Sequence, residues 1–211
     1  MFWASELTKI PVLVNAMTFY PTLLGAFFAG LVLCLSVTPA MSQPVGTPTA
    51  AQPMAIGGPF HLVDQDSRAF TNQDLKGRPF LVFFGYTHCP DVCPTTLFEV
   101  SEILRSLGPD ADRLGALFIT VDPERDTPER LKEYLSSFDP HLRGLTGDLA
   151  SIKDVARDYR VYFKKAALEG GGYTMDHSAL VYLMDKQGRF VSPFNIKRTP
   201  EAAATDLRKY F

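Results

Sequence analysis

Two continuous apolar segments, separated by a helical pattern, set the fold class of this 211-residue chain. Residues 80–85 (FLVFFG) and 116–121 (ALFITV) contain no charged side chain, as expected of strands buried on both faces of a sheet. Between them, apolar residues recur at helical spacing until Gly108, at Leu97, Val100, Ile103, Leu104 and Leu107. A strand, a helix and a strand in this order predict a βαβ unit with parallel strands.

The remaining segments extend this unit to three layers. Residues 60–70 (FHLVDQDSRAF) predict an N-terminal β-hairpin around an Asp-Gln-Asp-Ser turn. Thr127 and Asp148 are each suited to cap a helix. Two strands joined by a tight turn follow, in residues 179–185 (ALVYLMD) and 189–194 (RFVSPF), before a last helix. We therefore predict a three-layer α/β sandwich built on one sheet.

The N-terminal part of the chain differs in composition from the rest. Residues 19–37 carry no charge and precede small residues, a pattern typical of a secretory signal peptide or an uncleaved membrane anchor. We expect that signal or anchor at 1–40, a Pro/Gly/Ala/Ser/Thr-rich flexible linker at 41–58, and one folded, exported domain at 59–211. The formal net charge of −2 provides no electrostatic case for nucleic-acid binding.

The segment GYTHCPDVCPTT, residues 85–96, contains both cysteines of the predicted domain, Cys89 and Cys93. They follow a buried strand, where open α/β sheets place ligand sites, and Cys93 stands at a helix start, where the helix dipole lowers a thiol's pKa. Three interpretations are open. A structural disulfide is usual in exported proteins but would close only a very short loop. A redox dithiol usually has two intervening residues, not three. A metal site would use both thiolates, which suit Cu(I) or Zn(II).

His177 is the candidate for a third ligand. It stands in YTMDHSALVYLMD, directly before a predicted buried strand, and it reaches the cysteine turn if that strand lies beside residues 80–85. His61 and His141 are expected to be surface residues, and His88 is expected to point away from the adjacent cysteine. A closed zinc site requires a fourth protein ligand, whereas Cu(I) accepts three, so a metal in this site would be copper.

Five segments and their order resemble the Sco/SenC family, the copper proteins of cytochrome c oxidase assembly: FFGYTHCPDVCPTTL, ITVDPERDTPERLKEYL, GLTGD, YRVYF and YTMDHSALVYLMDKQGRF. The resemblance covers residues 59–211 and implies a thioredoxin-like fold with an added N-terminal hairpin. It implies that Cys89, Cys93 and His177 bind copper, as Cu(I) and also as Cu(II). The strand facing the cysteines is entered without the cis-proline of thioredoxin-like oxidoreductases, which favours metal binding over redox catalysis.

The function implied by the resemblance is that of a copper chaperone, which is not an enzyme in the turnover sense. Its implied partners are the copper-bearing subunit of cytochrome c oxidase, whose binuclear centre receives the ion, and other copper chaperones or thioredoxin-like reductases. The N-terminal segment would hold the domain, tethered or released, at the periplasmic face of a bacterial inner membrane. Two alternatives are a thiol–disulfide oxidoreductase acting on the same subunit and a redox or copper sensor.

Several charged residues are candidates to support the ligands. Asp122, Arg125 and Asp126 follow the second buried strand and would form a docking surface, a support for the ligands, or only a capped, salt-bridged helix start. Asp176 is expected to orient the imidazole of His177 by accepting its second N–H.

Overall fold

The computed structural model describes residues 55–211. The signal or anchor predicted at 1–40, and the linker predicted at 41–58 as far as residue 54, lie outside the described residues. No helix in the described part of the chain is long and apolar enough to cross a membrane. Ile56 packs against the core, and the Gly57 N–H donates to the carbonyl of Asp158 at 2.9 Å, so these two residues already contact the folded domain.

Nine strands form two sheets in residues 55–211: β1 His61–Asp64, β2 Ala69–Thr71, β3 Phe80–Gly85, β4 Gly115–Thr120, β5 Leu142–Thr146, β6 Phe163–Ala167, β7 Tyr173–His177, β8 Val181–Met184 and β9 Phe190–Pro193. The central sheet has the order β2-β1-β5-β4-β3-β8-β9, and β6 and β7 form a separate antiparallel pair. β3, β4 and β5 are parallel, and every other pairing is antiparallel. The predicted N-terminal hairpin and the parallel βαβ unit are therefore confirmed.

Helices cover both faces of the central sheet: α1 Val92–Leu107, α2 Pro128–Leu135, α3 Leu149–Asp158 and α4 Pro200–Arg208. The crossovers through α1 and α2 step in the same direction across the sheet, so both helices lie on one face, and α4 packs against α1. Phe84 points to the opposite face, where its ring lies 5.5 Å from that of Tyr159 at the end of α3. This is the predicted three-layer, thioredoxin-like sandwich.

Strand β5 and the β6–β7 pair are not predicted from the sequence. Arg143 and Gly144 interrupt the apolar pattern of β5, although the strand lies in the middle of the sheet. The Arg143 guanidinium extends to the buried carboxylate of Asp64 at 2.7 Å, and a side chain at Gly144 would collide with Leu135 of α2. Tertiary contacts therefore determine this strand, because its own residue types do not favour it.

The start of α1 also differs from the expectation. Pro94 favours the first position of a helix, where its missing N–H costs nothing, but the helix begins two residues earlier, at Val92, and includes Cys93. Proline at the third helical position leaves no hydrogen bond unmade, because the first N–H groups of a helix have no partner within it. Cys93 therefore lies in the first turn of α1, at the helix start where the sequence places it.

Candidate metal centre

The two cysteines lie at the carboxyl end of β3, in the turn that leads into α1. The Cys89 N–H donates to the carbonyl of Tyr86 at 3.2 Å, and the Cys93 N–H donates to the Cys89 Sγ at 3.4 Å. These bonds fold the turn back so that both sulfurs face the same side. Both thiols are free; Cys89 is half-buried, whereas Cys93 is 0% exposed.

Space for the inner thiol is made by Gly85, the last residue of β3. A Cβ atom at this position would lie 2.8 Å from the Cys93 Sγ and 2.7 Å from the Phe118 ring. These distances are shorter than any stable contact between such atoms. A glycine at the end of the strand therefore allows Cys93 to approach the sheet.

The environment of Cys93 overturns the expectation that the helix start favours its thiolate. Burial first, and the hydrogen bond with Cys89 second, raise the pKa of the Cys93 thiol well above its ordinary value. A backbone hydrogen bond from Tyr86 opposes this shift but is the weaker effect. Cys93 is therefore protonated at neutral pH, and a metal that binds it has to displace the proton.

His177 reaches the cysteines from the end of β7. Its Nδ1 lies 3.0 Å from the carbonyl oxygen of Ser178, which can only accept, so Nδ1 carries the proton and Nε2 has a free lone pair. Nε2 lies 3.6 Å from the Cys93 Sγ. The edge of the imidazole packs against the rings of Phe83 and Tyr86, with ring centroids 6.4 and 5.7 Å away. The imidazole is thus held in the tautomer that a metal ligand needs.

The partner of Nδ1 is not the one expected from the sequence. Asp176 is exposed, and the Ser178 carbonyl takes the role assigned to it. The reason is the strand geometry, since successive side chains of β7 point to opposite faces and Asp176 therefore faces away from the imidazole.

The ligand atoms of Cys89, Cys93 and His177 all lie within 4.8 Å of one another. Among residues 55–211 this is the one such group of three or more histidine, cysteine or acidic side chains. Bonds of about 2.0–2.3 Å, as zinc makes to imidazole and thiolate, place donors around one ion at most about 4.6 Å apart. The cluster can therefore close on a single metal ion with little movement.

A buried carboxylate fixes the residues that precede Cys89. Asp126, which is 0% exposed, accepts hydrogen bonds from the Thr87 N–H at 3.0 Å, the Thr87 hydroxyl at 2.7 Å and the Thr120 hydroxyl at 2.6 Å. Burial raises the pKa of Asp126, although these three hydrogen bonds act in the opposite direction. Of the roles considered for Asp126, the structure therefore favours internal support of the cysteine turn over an exposed docking surface.

The other histidines lie apart from the cluster. His88 has a side chain 43% exposed, and its Nδ1 lies 3.1 Å from the Thr87 hydroxyl. His61 is exposed, and His141 pairs with Asp139 and Asp112 at the surface. These positions agree with the sequence expectations.

Comparison with known proteins places these residues in a family context. The family model described as SCO1/SenC matches residues 48–211. A structure of Bradyrhizobium japonicum ScoI with copper bound is 66% identical, with a TM-score of 0.73, covering 74% of this chain and 100% of that one. A structure of yeast Sco1 with copper bound is 38% identical, with a TM-score of 0.67, covering 74% of this chain and 88% of that one. An SCO2-like protein of Rickettsia prowazekii is 43% identical over 141 residues, 66% of this chain and 69% of that protein.

Proposed function

The chain belongs to the SCO1/SenC family, and on that basis we propose that it binds copper through Cys89, Cys93 and His177 and serves in the assembly of cytochrome c oxidase. One observation carries the proposal: two thiols and an imidazole nitrogen with a free lone pair lie within bonding reach of one ion. Two similar proteins, ScoI of Bradyrhizobium japonicum and Sco1 of yeast, have been solved with copper bound.

The donor set fits Cu(I). Thiolate sulfur is a soft ligand that selects Cu(I), and neutral imidazole suits copper as well. Both cysteines bind copper as thiolates, and because burial raises the pKa of the Cys93 thiol, the metal has to displace the proton of that residue. The Ser178 carbonyl accepts from the Nδ1–H of His177, which leaves Nε2 as the nitrogen that faces the thiols.

Copper is the cargo in this proposal, and delivery goes by ligand exchange to the binuclear copper centre of the oxidase. Cys89 is half-buried and Cys93 fully buried, so an incoming ligand from the acceptor approaches on the Cys89 side. The protein is a transfer protein and not a turnover enzyme. We further propose that it is exported and that its N-terminal segment holds it, tethered or released, at the periplasmic face of a bacterial inner membrane.

Thiol–disulfide exchange on the same oxidase subunit is a second candidate function. It is favoured by the proximity of the two free thiols, since the Cys89 Sγ accepts a hydrogen bond from the Cys93 N–H. Because burial raises the pKa of Cys93, Cys89 would be the attacking thiol.

The variant His177→Ala separates the two functions, because it removes a copper ligand and keeps both thiols. Its Cu(I) affinity should fall in competition with a chromogenic chelator, and cells limited for copper should lose oxidase activity. His61→Ala, at an exposed position, is the control and should match the wild type in both assays. Full oxidase assembly with His177→Ala would reject the chaperone function in favour of the oxidoreductase.

A further inference from the structure

The β6–β7 hairpin holds His177 but is not part of the central sheet. Four of its ten strand residues are exposed, and its tip contains Gly170, Gly171 and Gly172, all with positive φ. A two-stranded hairpin is marginally stable on its own in water. Contacts with the rest of the domain must therefore determine where His177 sits.

One set of such contacts centres on Arg125, in the loop after β4. Its Nη1 donates to the carbonyl of Tyr173 at 3.1 Å, and its guanidinium carbon lies 3.8 Å from the centre of the Tyr173 ring. Its Nε donates to the carboxylate of Asp122 at 2.5 Å. The Tyr173 hydroxyl donates to the same carboxylate at 2.8 Å, which closes the triangle. We call Asp122, Arg125 and Tyr173 the Arg125 cluster.

The Arg125 cluster links the central sheet to the β6–β7 hairpin, which share no strand pairing. Asp122 lies two residues beyond the end of β4 in the central sheet and has a side chain 0% exposed, whereas Tyr173 is the first residue of β7. Lys165 on β6 adds a second bridge, since its Nζ pairs with Glu124 at 2.5 Å and lies 4.4 Å from the Tyr173 ring centre. The hairpin is therefore fastened to the loop that follows β4.

The position of Tyr173 is transmitted to His177 along one strand. The two residues are the ends of β7, and Thr174 between them bonds through its hydroxyl to the Tyr86 hydroxyl at 2.8 Å. Beyond His177, the Ser178 N–H donates to the carbonyl of Tyr162 at 3.0 Å, and Tyr162 directly precedes β6, so the pairing of the two strands continues past the ligand. With Tyr173 held by Arg125 and Thr174 held by Tyr86, the strand presents the imidazole to Cys93.

We propose that Arg125 is a positioning residue for the metal centre: it holds the β6–β7 hairpin against the central sheet and so keeps the His177 Nε2 in place over the two thiols. The inference rests on the proposed function, in which His177 is a copper ligand. Arginine suits this task because one planar guanidinium donates to a carboxylate and a carbonyl and also stacks on a ring.

A thermodynamic cycle tests the proposal. Cu(I) affinity is measured on the reduced full chain by competition with a chromogenic chelator, for Arg125→Gln with and without His177→Ala. Loss of a group that orients a metal ligand typically costs about 10- to 100-fold in affinity. We expect Arg125→Gln to cause this loss of Cu(I) affinity when His177 is present. In the His177→Ala background it should cause no further loss, because a displaced hairpin affects copper binding only by displacing His177.

Two further variants guard against a general folding defect. Arg157→Gln is the matched control, because Arg157 also pairs with an aspartate three residues earlier, Asp154 at 2.7 Å, but on the exposed surface of α3. Arg157→Gln should bind Cu(I) with the affinity of the wild type. Tyr173→Leu removes the stacked ring and its hydroxyl but keeps the residue 173 carbonyl and the Asp122–Arg125 ion pair, so it should cause part of the loss caused by Arg125→Gln.

Hydrogen exchange of the copper-free protein provides a readout that does not depend on the metal. The amides of β6 and β7 should exchange faster in Arg125→Gln and Tyr173→Leu than in the wild type or Arg157→Gln. Unchanged exchange in both cluster variants would overturn the proposal. The proposal would also be overturned if Arg125→Gln lowered the Cu(I) affinity equally with and without His177. It would be overturned as well if His177→Ala lowered the Cu(I) affinity and Arg125→Gln did not.

Failure of the proposed function gives a different pattern. If His177→Ala binds Cu(I) like the wild type, then His177 is not a ligand and the assignment of the copper site is wrong. The proposal that Arg125 positions a metal ligand falls with it. Faster amide exchange in the cluster variants would then show only that the Arg125 cluster stabilises the β6–β7 hairpin, with no role in metal binding.

Discussion

Substitution of Gly85 by alanine tests whether the metal centre depends on the space that this glycine leaves at the end of β3. The added Cβ would lie 2.7 Å from the Phe118 Cε2, 2.8 Å from the Cys93 Sγ and 3.1 Å from the Phe83 Cε1. Carbon atoms pack best at about 3.5–4.0 Å, so the nearest contact is too short by about 0.8 Å or more. The three neighbours are at most 2% exposed, so none can turn out towards solvent.

The expected magnitudes follow from this overlap. Overpacking a well-packed core costs about 1–3 kcal/mol. For a domain of this size each kcal/mol lowers the melting temperature by about 2–4 °C, so calorimetry should show a fall of about 2–12 °C. If displacement of the Cys93 Sγ costs the metal a similar free energy, the Cu(I) dissociation constant should rise by about 5- to 150-fold in chelator competition.

Gly144→Ala is the matched control. Its Cβ would lie 2.7 Å from the Leu135 Cδ1 and 3.2 Å from the Leu131 Cβ, so the clash is as severe but is directed at α2. The melting temperature should fall and the Cu(I) affinity should stay unchanged. An equal loss of affinity in both variants, or none with Gly85→Ala, would refute the reasoning that Gly85 sets the position of the inner thiol.

Four further outcomes are expected. Saturation with one Cu(I) at about 1,000 times its dissociation constant should add about 4 kcal/mol to the native state and raise the melting temperature by about 8–16 °C, and Cys93→Ser should abolish most of this shift. His88→Ala should keep the whole shift, since its ring lies outside the cluster; loss of the shift would mean that His88 is a ligand. Residues 59–211 alone should be soluble and folded by circular dichroism, and aggregation of this fragment while the full chain stays dispersed in detergent would move the domain boundary. The hydrogen bond with Asp139 raises the pKa of His141 above 6.5, so the stabilisation of the fold by protonated His141 is complete below pH 6.5 and is lost as the pH rises through the raised pKa. The unfolding free energy of the wild type should therefore exceed that of His141→Asn by less at about pH 9 than at about pH 6, and a constant difference would contradict this.

The sequence predicts the fold well where the pattern of apolar residues is continuous. β3, β4 and the four helices follow from uninterrupted runs, helical spacing and capping residues such as Thr127 and Asp148, both of which cap their helices in the structure. β5 is missed, because Arg143 and Gly144 owe their place in a strand to Asp64 and α2 and not to any local preference. The β6–β7 pair is missed because its lysines and glycines give no apolar alternation.

The candidate site is predicted in its composition but not in its electrostatics. The spacing of Cys89 and Cys93 and the place of His177 before a strand beside β3 bring the three residues together, and their role as copper ligands stays a prediction. The pKa of Cys93 could not be read from the sequence, because the effect of the helix start is visible there and the depth of burial is not. The roles of Ser178 and Arg125 depend on a backbone carbonyl and a hairpin that no sequence motif signals.

His177 ends a strand of the β6–β7 pair, whereas Cys93 lies in the first turn of α1 beside the central sheet, and the two residues are 84 positions apart in the chain. An ion bound to both would close a loop of that length, as a disulfide does, and a cross-link of this span removes about 4–5 kcal/mol of chain entropy from the unfolded state. Unlike a disulfide, this link would leave with the cargo. Each delivery of copper would therefore open the loop and each reloading would close it, so the copper-loaded and copper-free proteins would differ in the entropy of their unfolded chains.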